Sequence, residues 1–293
     1  MKYCSKQTCC RQAPAIRIKR MLLVCLFVNL SICSQAQKIT NELQGYYYEK
    51  TDSSLYHFFV FDGNGKVNIS GYDEGLYFQK GDTVIVYPDK SIFKFLLKDH
   101  KLYGVSDWVA NGVWDFNPDT IVAGKRTNPI QADRTANLLS QYYELTAKSP
   151  WAFLDDSTGG YSTALKTLCD SGLSKACLDL AGLKITEQLG GVAALLKGAP
   201  VAKKQQPDPT IMKILQDAIR TGDANGYAVL GSYHALLGDL DRAKDIYEQG
   251  NSLGCKKCAL ALFSMELEKE TQKLEAPNKK KPIKRPVTSS KKK

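Results

Sequence analysis

The strongest constraint on this fold is a spacing of small and apolar residues between Asp208 and Leu262 that reads as helical repeats. Within it, Gly222-Asp223-Ala224 leads to Tyr227, Leu230 and Gly231, and beyond a turn at Gly238 come Ala243, Tyr247 and Gly250. That is a helix, a turn and a helix, each with its apolar residues on one side. Gly254 restarts the pattern, because Leu262 follows it at the interval by which Leu230 follows Gly222. An earlier copy runs from Gly172 through Ala176 to Leu180. Gly172 and Gly222 are 50 residues apart and Gly222 and Gly254 only 32, which an insertion between Gly190 and Pro207 explains. Stacked helix pairs build surfaces for binding and seldom catalyse.

A second pattern precedes it. From about Leu43 to Phe116 the chain alternates short β-branched or aromatic runs with turns. The runs are Tyr46 to Tyr48, Tyr56 to Phe61, Lys66 to Ser70, Leu76 to Gln79, Thr83 to Tyr87, Ile92 to Lys98 and Leu102 to Val105. Asp62-Gly63-Asn64-Gly65 and Lys80-Gly81-Asp82 supply positive φ angles for hairpins, and Pro88-Asp89 presets a turn. Strands joined only by turns form an antiparallel meander that must roll up or find a cover for one face. Asp62 and Asn64 do not read as a calcium loop, since Lys66 stands at the third oxygen position and Val67 at the loop glycine. Asn68-Ile69-Ser70 is a glycosylation sequon, informative only in a host that uses such sites. Trp108 and Trp114 are expected to close the core of this β unit.

The expected fold class is therefore α+β: an N-terminal antiparallel β meander or barrel over 37–127, then a C-terminal α-helical repeat domain, an α-solenoid, over 131–275. Breaker clusters at Asn117-Pro118-Asp119 and Thr127-Asn128-Pro129 mark the joint, after which Leu138, Leu139, Tyr142 and Leu145 recur at helical spacing. Asp208 and Pro209 read as the N-cap and first-turn proline of a helix whose buried stripe is Ile211, Ile214, Leu215 and Ala218.

The net charge of +10 raises the question of nucleic acid, and its distribution answers it. Residues 1–36 carry six Lys or Arg and no acid, residues 277–293 carry eight and no acid, and the body between is mildly acidic. No specific nucleic-acid partner is expected. Arg17 to Arg20, the apolar run from Met21 to Ile32 and Ser34-Gln35-Ala36 follow the order of a signal peptide, 1–36, with a mature start near Gln37. The run is too short to span a bilayer, so the chain is expected to be exported to the periplasm, cell surface or medium and not to be transmembrane. Met1 and Met21 both stand as starts, and Ile32 is too bulky for a good lipidation sequence at Cys33. Residues 276–293 are rich in Lys, Pro, Ser and Thr and are expected to be a disordered basic tail, with at most weak attraction to anionic surfaces.

Four cysteines remain after the leader, Cys169, Cys177, Cys255 and Cys258, and in an exported protein they are disulfide candidates first. Seven residues separate Cys169 from Cys177, with one helix ending at Asp170-Ser171-Gly172 and the next starting at Lys175-Ala176. Cys255 and Cys258, flanking two lysines at a helix start, leave open a structural pair, a redox pair or a metal pair. The three histidines, His57, His100 and His234, are scattered, so no metal and no cofactor is expected. No nucleophile elbow or phosphate-binding glycine loop occurs.

Cys169, Gly172, Ala176, Cys177 and Leu180, then Gly222, Leu230, Gly231, Ala243, Tyr247 and Gly250, then Gly254, Cys258 and Leu262 resemble the Sel-type repeats, short relatives of tetratricopeptide repeats. The resemblance covers about 100 residues and is nearest to secreted bacterial members that staple each repeat with a cysteine pair at this spacing. It implies a Cys169–Cys177 disulfide, and a helix-turn-helix junction brings positions eight apart within bonding reach. Asn251 departs from the pattern where a second staple's upstream cysteine would stand. Leu43-Gln44-Gly45-Tyr46 and Gly81-Asp82-Thr83 give the β half a similarity to small lipocalin-like domains of exported bacterial proteins.

The expected function is an exported, non-enzymatic binding or scaffold protein whose helical groove takes an unknown protein or peptide, with Asn225, Ala228, Ser232 and Ala235 as the inward positions. The alternatives are a small-ligand carrier using the β domain and a thiol oxidoreductase at Cys255 and Cys258.

Overall fold

The computed structural model describes residues 37–51, 54–70, 73–89, 91–120, 128–147, 159–193 and 205–275. The leader with Cys33, the linker residues 121–127, the inserted segment 194–204 and the basic tail lie outside the described residues.

Among the described residues nine strands form one antiparallel sheet: β1 (Ile39–Thr40), β2 (Gln44–Glu49), β3 (Phe58–Asp62), β4 (Lys66–Ile69), β5 (Asp73–Lys80), β6 (Thr83–Tyr87), β7 (Phe93–Lys98), β8 (Lys101–Gly104) and β9 (Val113–Asn117). From β2 to β9 each strand pairs with the next, and β9 pairs back onto β2, with Tyr47 opposite Phe116. The meander thus closes as an eight-stranded up-and-down barrel, which removes the free edges an open sheet would present. β1 adds outside the ring, Ile39 opposite Lys80 of β5.

Turn chemistry sets the register. The Asp62 carboxylate accepts the backbone N–H groups of Asn64 (2.7 Å) and Lys66 (2.9 Å), so it holds the β3–β4 hairpin. The β7–β8 connection is a two-residue turn in which Asp99 and His100 both have positive φ, 51° and 58°, the geometry that keeps tightly joined strands twisted together.

Inward positions of the barrel carry Tyr47, Phe59, Phe61, Tyr77, Phe93, Phe95 and Trp114 with Val67, Ile69, Val84, Val86 and Leu102, all buried. Phe59 packs edge to face on Phe95 (5.1 Å) and Trp114 (5.3 Å), and Phe61 on Tyr77 (4.9 Å). Burial pushes the Tyr47 hydroxyl pKa up to about 12. The two tryptophans part company here. Trp114 is fully buried, whereas Trp108 is 59% exposed, because the short 3-10 turn Asp107–Val109 sends Val109 inward in its place.

Among the described residues seven helices follow: α1 (Pro129–Ala147), α2 (Gly160–Asp170), α3 (Ser174–Gln188), α4 (Pro209–Arg220), α5 (Asn225–Leu236), α6 (Leu240–Ser252) and α7 (Lys256–Glu275). Asp208 caps α4, accepting from the N–H of Thr210 (2.6 Å) and Ile211 (3.2 Å), and those bonds hold its carboxyl below the usual range. The helices α2 to α6 end at positive-φ glycines. At Gly172 (φ 98°) the Gly172 N–H reaches the Cys169 carbonyl and the Leu173 N–H the Leu168 carbonyl, a Schellman closure. Gly254 (φ 86°) closes α6 in the same way, its N–H on Asn251 and that of Cys255 on Gly250. Both glycines head the repeat copies identified in the sequence.

The barrel and the helices share a core. Phe78, Ile85 and Tyr87 point outward from β5 and β6 and are buried against Ala136, Leu139 and Tyr142 of α1, Leu165 and Leu168 of α2, and Ala176 and Leu180 of α3. This is why Thr83 to Tyr87 is nearly all apolar instead of alternating: Val84 and Val86 face the barrel, Ile85 and Tyr87 the helices. Further along, Ile211, Leu215, Leu230, Tyr233, Leu237 and Ile246 join α4, α5 and α6.

Gly231 lets α5 and α6 approach closely. A methyl group there would stand 2.4 Å from Cε1 of the buried Tyr247 ring. Gly231→Ala gains helix propensity but overpacks this contact, and the expected net loss is about 1–2 kcal/mol in urea denaturation. An unchanged midpoint would mean that the two helices can part without cost.

Candidate protein-interaction surface

Four places were indicated by the sequence, and the structure treats them differently. Of Asn225, Ala228, Ser232 and Ala235, Asn225 and Ser232 are exposed, while Ala228 and Ala235 are turned into the contact with α6. Ala228 is buried beside Ala243 and Tyr247, Ala235 packs on the same cluster, and the Ser232 hydroxyl lies 3.0 Å from that of Tyr247. The small side chains of Ala228 and Ala235 serve the close packing of α5 on α6; Asn225, at the helix start, and Ser232 are exposed.

Cys169 and Cys177 stand at disulfide distance across the α2–α3 junction, with Cα atoms 4.7 Å apart. Cys255 and Cys258 also pair, Cα atoms 5.3 Å apart, in the first turn of α7. Both sulfur-bearing residues of this second pair are buried, at 3% and 0% exposure, beneath Gly250 and Tyr227. A substrate disulfide needs in-line access to the attacking sulfur, and this pair offers none. Among the described residues no group of three His, Cys, Asp or Glu side chains is placed to hold a metal ion.

The barrel interior is filled by its own aromatic side chains. At one end Tyr48, His100 and Phe116 border a shallow cleft, but its two lysines, Lys50 and Lys101, both pair with Asp115, and this holds the Asp115 carboxyl low and raises both lysines.

A charged group is also enclosed where the halves meet. The Lys175 ammonium on α3 sits over the rings of Tyr87 (5.3 Å) and Tyr142 (5.6 Å) and donates to the Asp89 carbonyl. Burial lowers its pKa, which Asp179 and Asp89 counteract. The Tyr142 hydroxyl donates to Asp179, and burial first, then the Asp179 charge, push its pKa up. Lys257 of α7 reaches the Asp89 carboxylate at 2.7 Å. These contacts tie the β6–β7 turn to α1, α3 and α7, so the cluster holds the architecture together.

One side of α7 carries a row of exposed apolar residues. Cys258, Ala261, Leu262 and Met265 face inward against the neighbouring helices. On the opposite side Leu260, Phe263, Leu267 and Leu274 are 65%, 56%, 52% and 76% exposed, and Leu253, just before the helix, is 60% exposed. Leu260, Leu267 and Leu274 recur every seven residues along α7, and Lys256, Phe263 and Glu270 form a second row at the same interval. Seven residues are nearly two helical turns, so each row runs along the helix as a stripe. The sequence carried this signal in its leucine interval, but apolar residues on both sides of α7 hide which set is buried. Scattered exposed leucines are ordinary, whereas an aligned row makes a continuous apolar patch.

No described helix is long and apolar enough to cross a membrane. Compared with protein-family models, with curated proteins and with solved structures, the chain finds no match.

Proposed function

We propose that this chain is an exported binding or scaffold protein whose helices stack as an α-solenoid of Sel-type or tetratricopeptide-like repeats, and that it docks a protein or peptide on its helical half. The observation that carries the reading is the exposed apolar row on α7, Leu260, Phe263 and Leu267 with Leu274 beyond them. The docking surface is thereby moved from the inward positions of α5 to the outer side of α7. Export rests on the leader-like first 36 residues and on two cysteine pairs at disulfide distance.

A carrier would need room inside the barrel, and the buried Phe, Tyr and Trp side chains occupy it. A thiol oxidoreductase would need an accessible first sulfur, and Cys255 is buried. The scaffold reading needs neither.

Chemical cross-linking in the envelope or secreted fraction tests it. Wild-type protein is expected to join a defined protein that a Leu260→Ser/Phe263→Ser/Leu267→Ser variant, with unchanged melting temperature, captures at least about tenfold less. Equal capture by both proteins would remove α7 from the interaction.

A further inference from the structure

The partner that α7 fits best is another α7. We propose that two copies of this chain pair antiparallel about a two-fold axis passing near Phe263, an inference that rests on reading the α7 row as an interaction surface. The row is self-complementary, as an isologous contact requires. An axis at Phe263 brings the two Phe263 rings together and sets Leu260 of each copy beside Leu267 of the other. Lys256 lies seven residues before the axis and Glu270 seven after it, so each Lys256 meets a Glu270 of the second copy.

Charge selects the direction. Parallel pairing in register would put Lys256 on Lys256 and Glu270 on Glu270 inside the seam, where like charges are destabilising. The first nine residues of α7 hold two lysines and no acid, and the last eleven hold four glutamates against two lysines. Antiparallel helices set these unlike halves side by side and oppose their dipoles.

Two other occupants are less suited. Beyond Ala, the tail 276–293 offers only Ile283 and Val287 as apolar residues, each directly after a proline, so it cannot supply a matching heptad row. An anionic membrane would meet Glu266 and Glu270 along the margin of the row, where surface-lying helices carry lysine or arginine.

A contact of one 20-residue helix from each copy, about 30 Å long, lies at the low end of stable interfaces. The expected dimer is therefore reversible, with dissociation in the micromolar range, roughly 1–100 µM. Analytical ultracentrifugation of the purified protein across that range should show twice the monomer mass at the top. Leu260→Glu/Leu267→Glu should weaken pairing at least about tenfold while circular dichroism stays unchanged. Lys256→Glu and Glu270→Lys should each weaken it severalfold, and the double exchange Lys256→Glu/Glu270→Lys should restore it, a recovery that only opposed pairing provides. A protein that stays monomeric throughout overturns the proposal, as does a dimer indifferent to these substitutions. Monomer that instead sediments with vesicles of anionic phospholipid also overturns it. If the protein is monomeric yet captures a different protein through α7, self-pairing falls and the interaction surface stands.

Discussion

Trp114→Ala is expected to destabilise the protein by about 3–5 kcal/mol, a large part of the roughly 5–15 kcal/mol that holds a typical domain together. The indole is fully buried, edge to face with Phe59 (5.3 Å) and Phe95 (5.4 Å), and its Nε1–H donates to the Tyr56 carbonyl at 2.7 Å. Truncation opens a cavity in a rigid closed barrel, where neighbours on eight paired strands have little freedom to collapse into it. It also strips the Tyr56 carbonyl of its donor. Trp114→Phe keeps most of the ring volume and should lose considerably less. Urea denaturation followed by circular dichroism measures both. A loss below about 1 kcal/mol for the alanine variant would show that the barrel interior is not the packed body described here.

Cys169→Ser/Cys177→Ser is expected to cost about 2–3 kcal/mol, the chain-entropy value for so short a closed loop. The bond spans the α2–α3 junction directly beneath Leu168, Leu173 and Ala176, the residues that carry these helices onto the barrel. Adding reductant to the wild type should reproduce most of the loss. Any reductant sensitivity left in the double variant then belongs to Cys255 and Cys258. A wild type whose unfolding midpoint ignores reductant would show that the Cys169–Cys177 bond contributes nothing to stability.

Much of the architecture was legible before any coordinates. Strand rhythm and hairpin residues announced the meander because period-two burial and positive-φ turns leave marks on local sequence. Asp208-Pro209 marked the start of α4 to the residue, since a cap is a local bond. The strand β1 was missed because Ile39–Thr40 is too short for a period to show. The β7–β8 turn was missed because Asp99-His100 takes its geometry without a glycine. Trp108 and Trp114 look alike in sequence, and only ring closure around Gly104 and Gly112 decides which one enters the core. The four positions singled out on α5 divide for a different reason, Asn225 and Ser232 being exposed and Ala228 and Ala235 packed. Small residues on a helix suit an open groove and a close helix contact equally well, and for Ala228 and Ala235 it is the bulk of Tyr247 on another helix that decides. The row on α7 was present as an interval of seven, yet burial on the opposite side comes from α5 and α6 and is set by tertiary contact.

The strand β6 belongs to two cores at once, with Val84 and Val86 in one and Ile85 and Tyr87 in the other. Two halves whose burial alternates along a single strand are expected to depend on each other for stability. A barrel cut free at residues 121–127 would carry Phe78, Ile85 and Tyr87 as a wet apolar wall, and the helices would carry the matching one. A boundary that composition draws cleanly between β and α is, in mechanical terms, a weld. Any force or substitution that loosens the outward side of β6 should be felt on both sides of it.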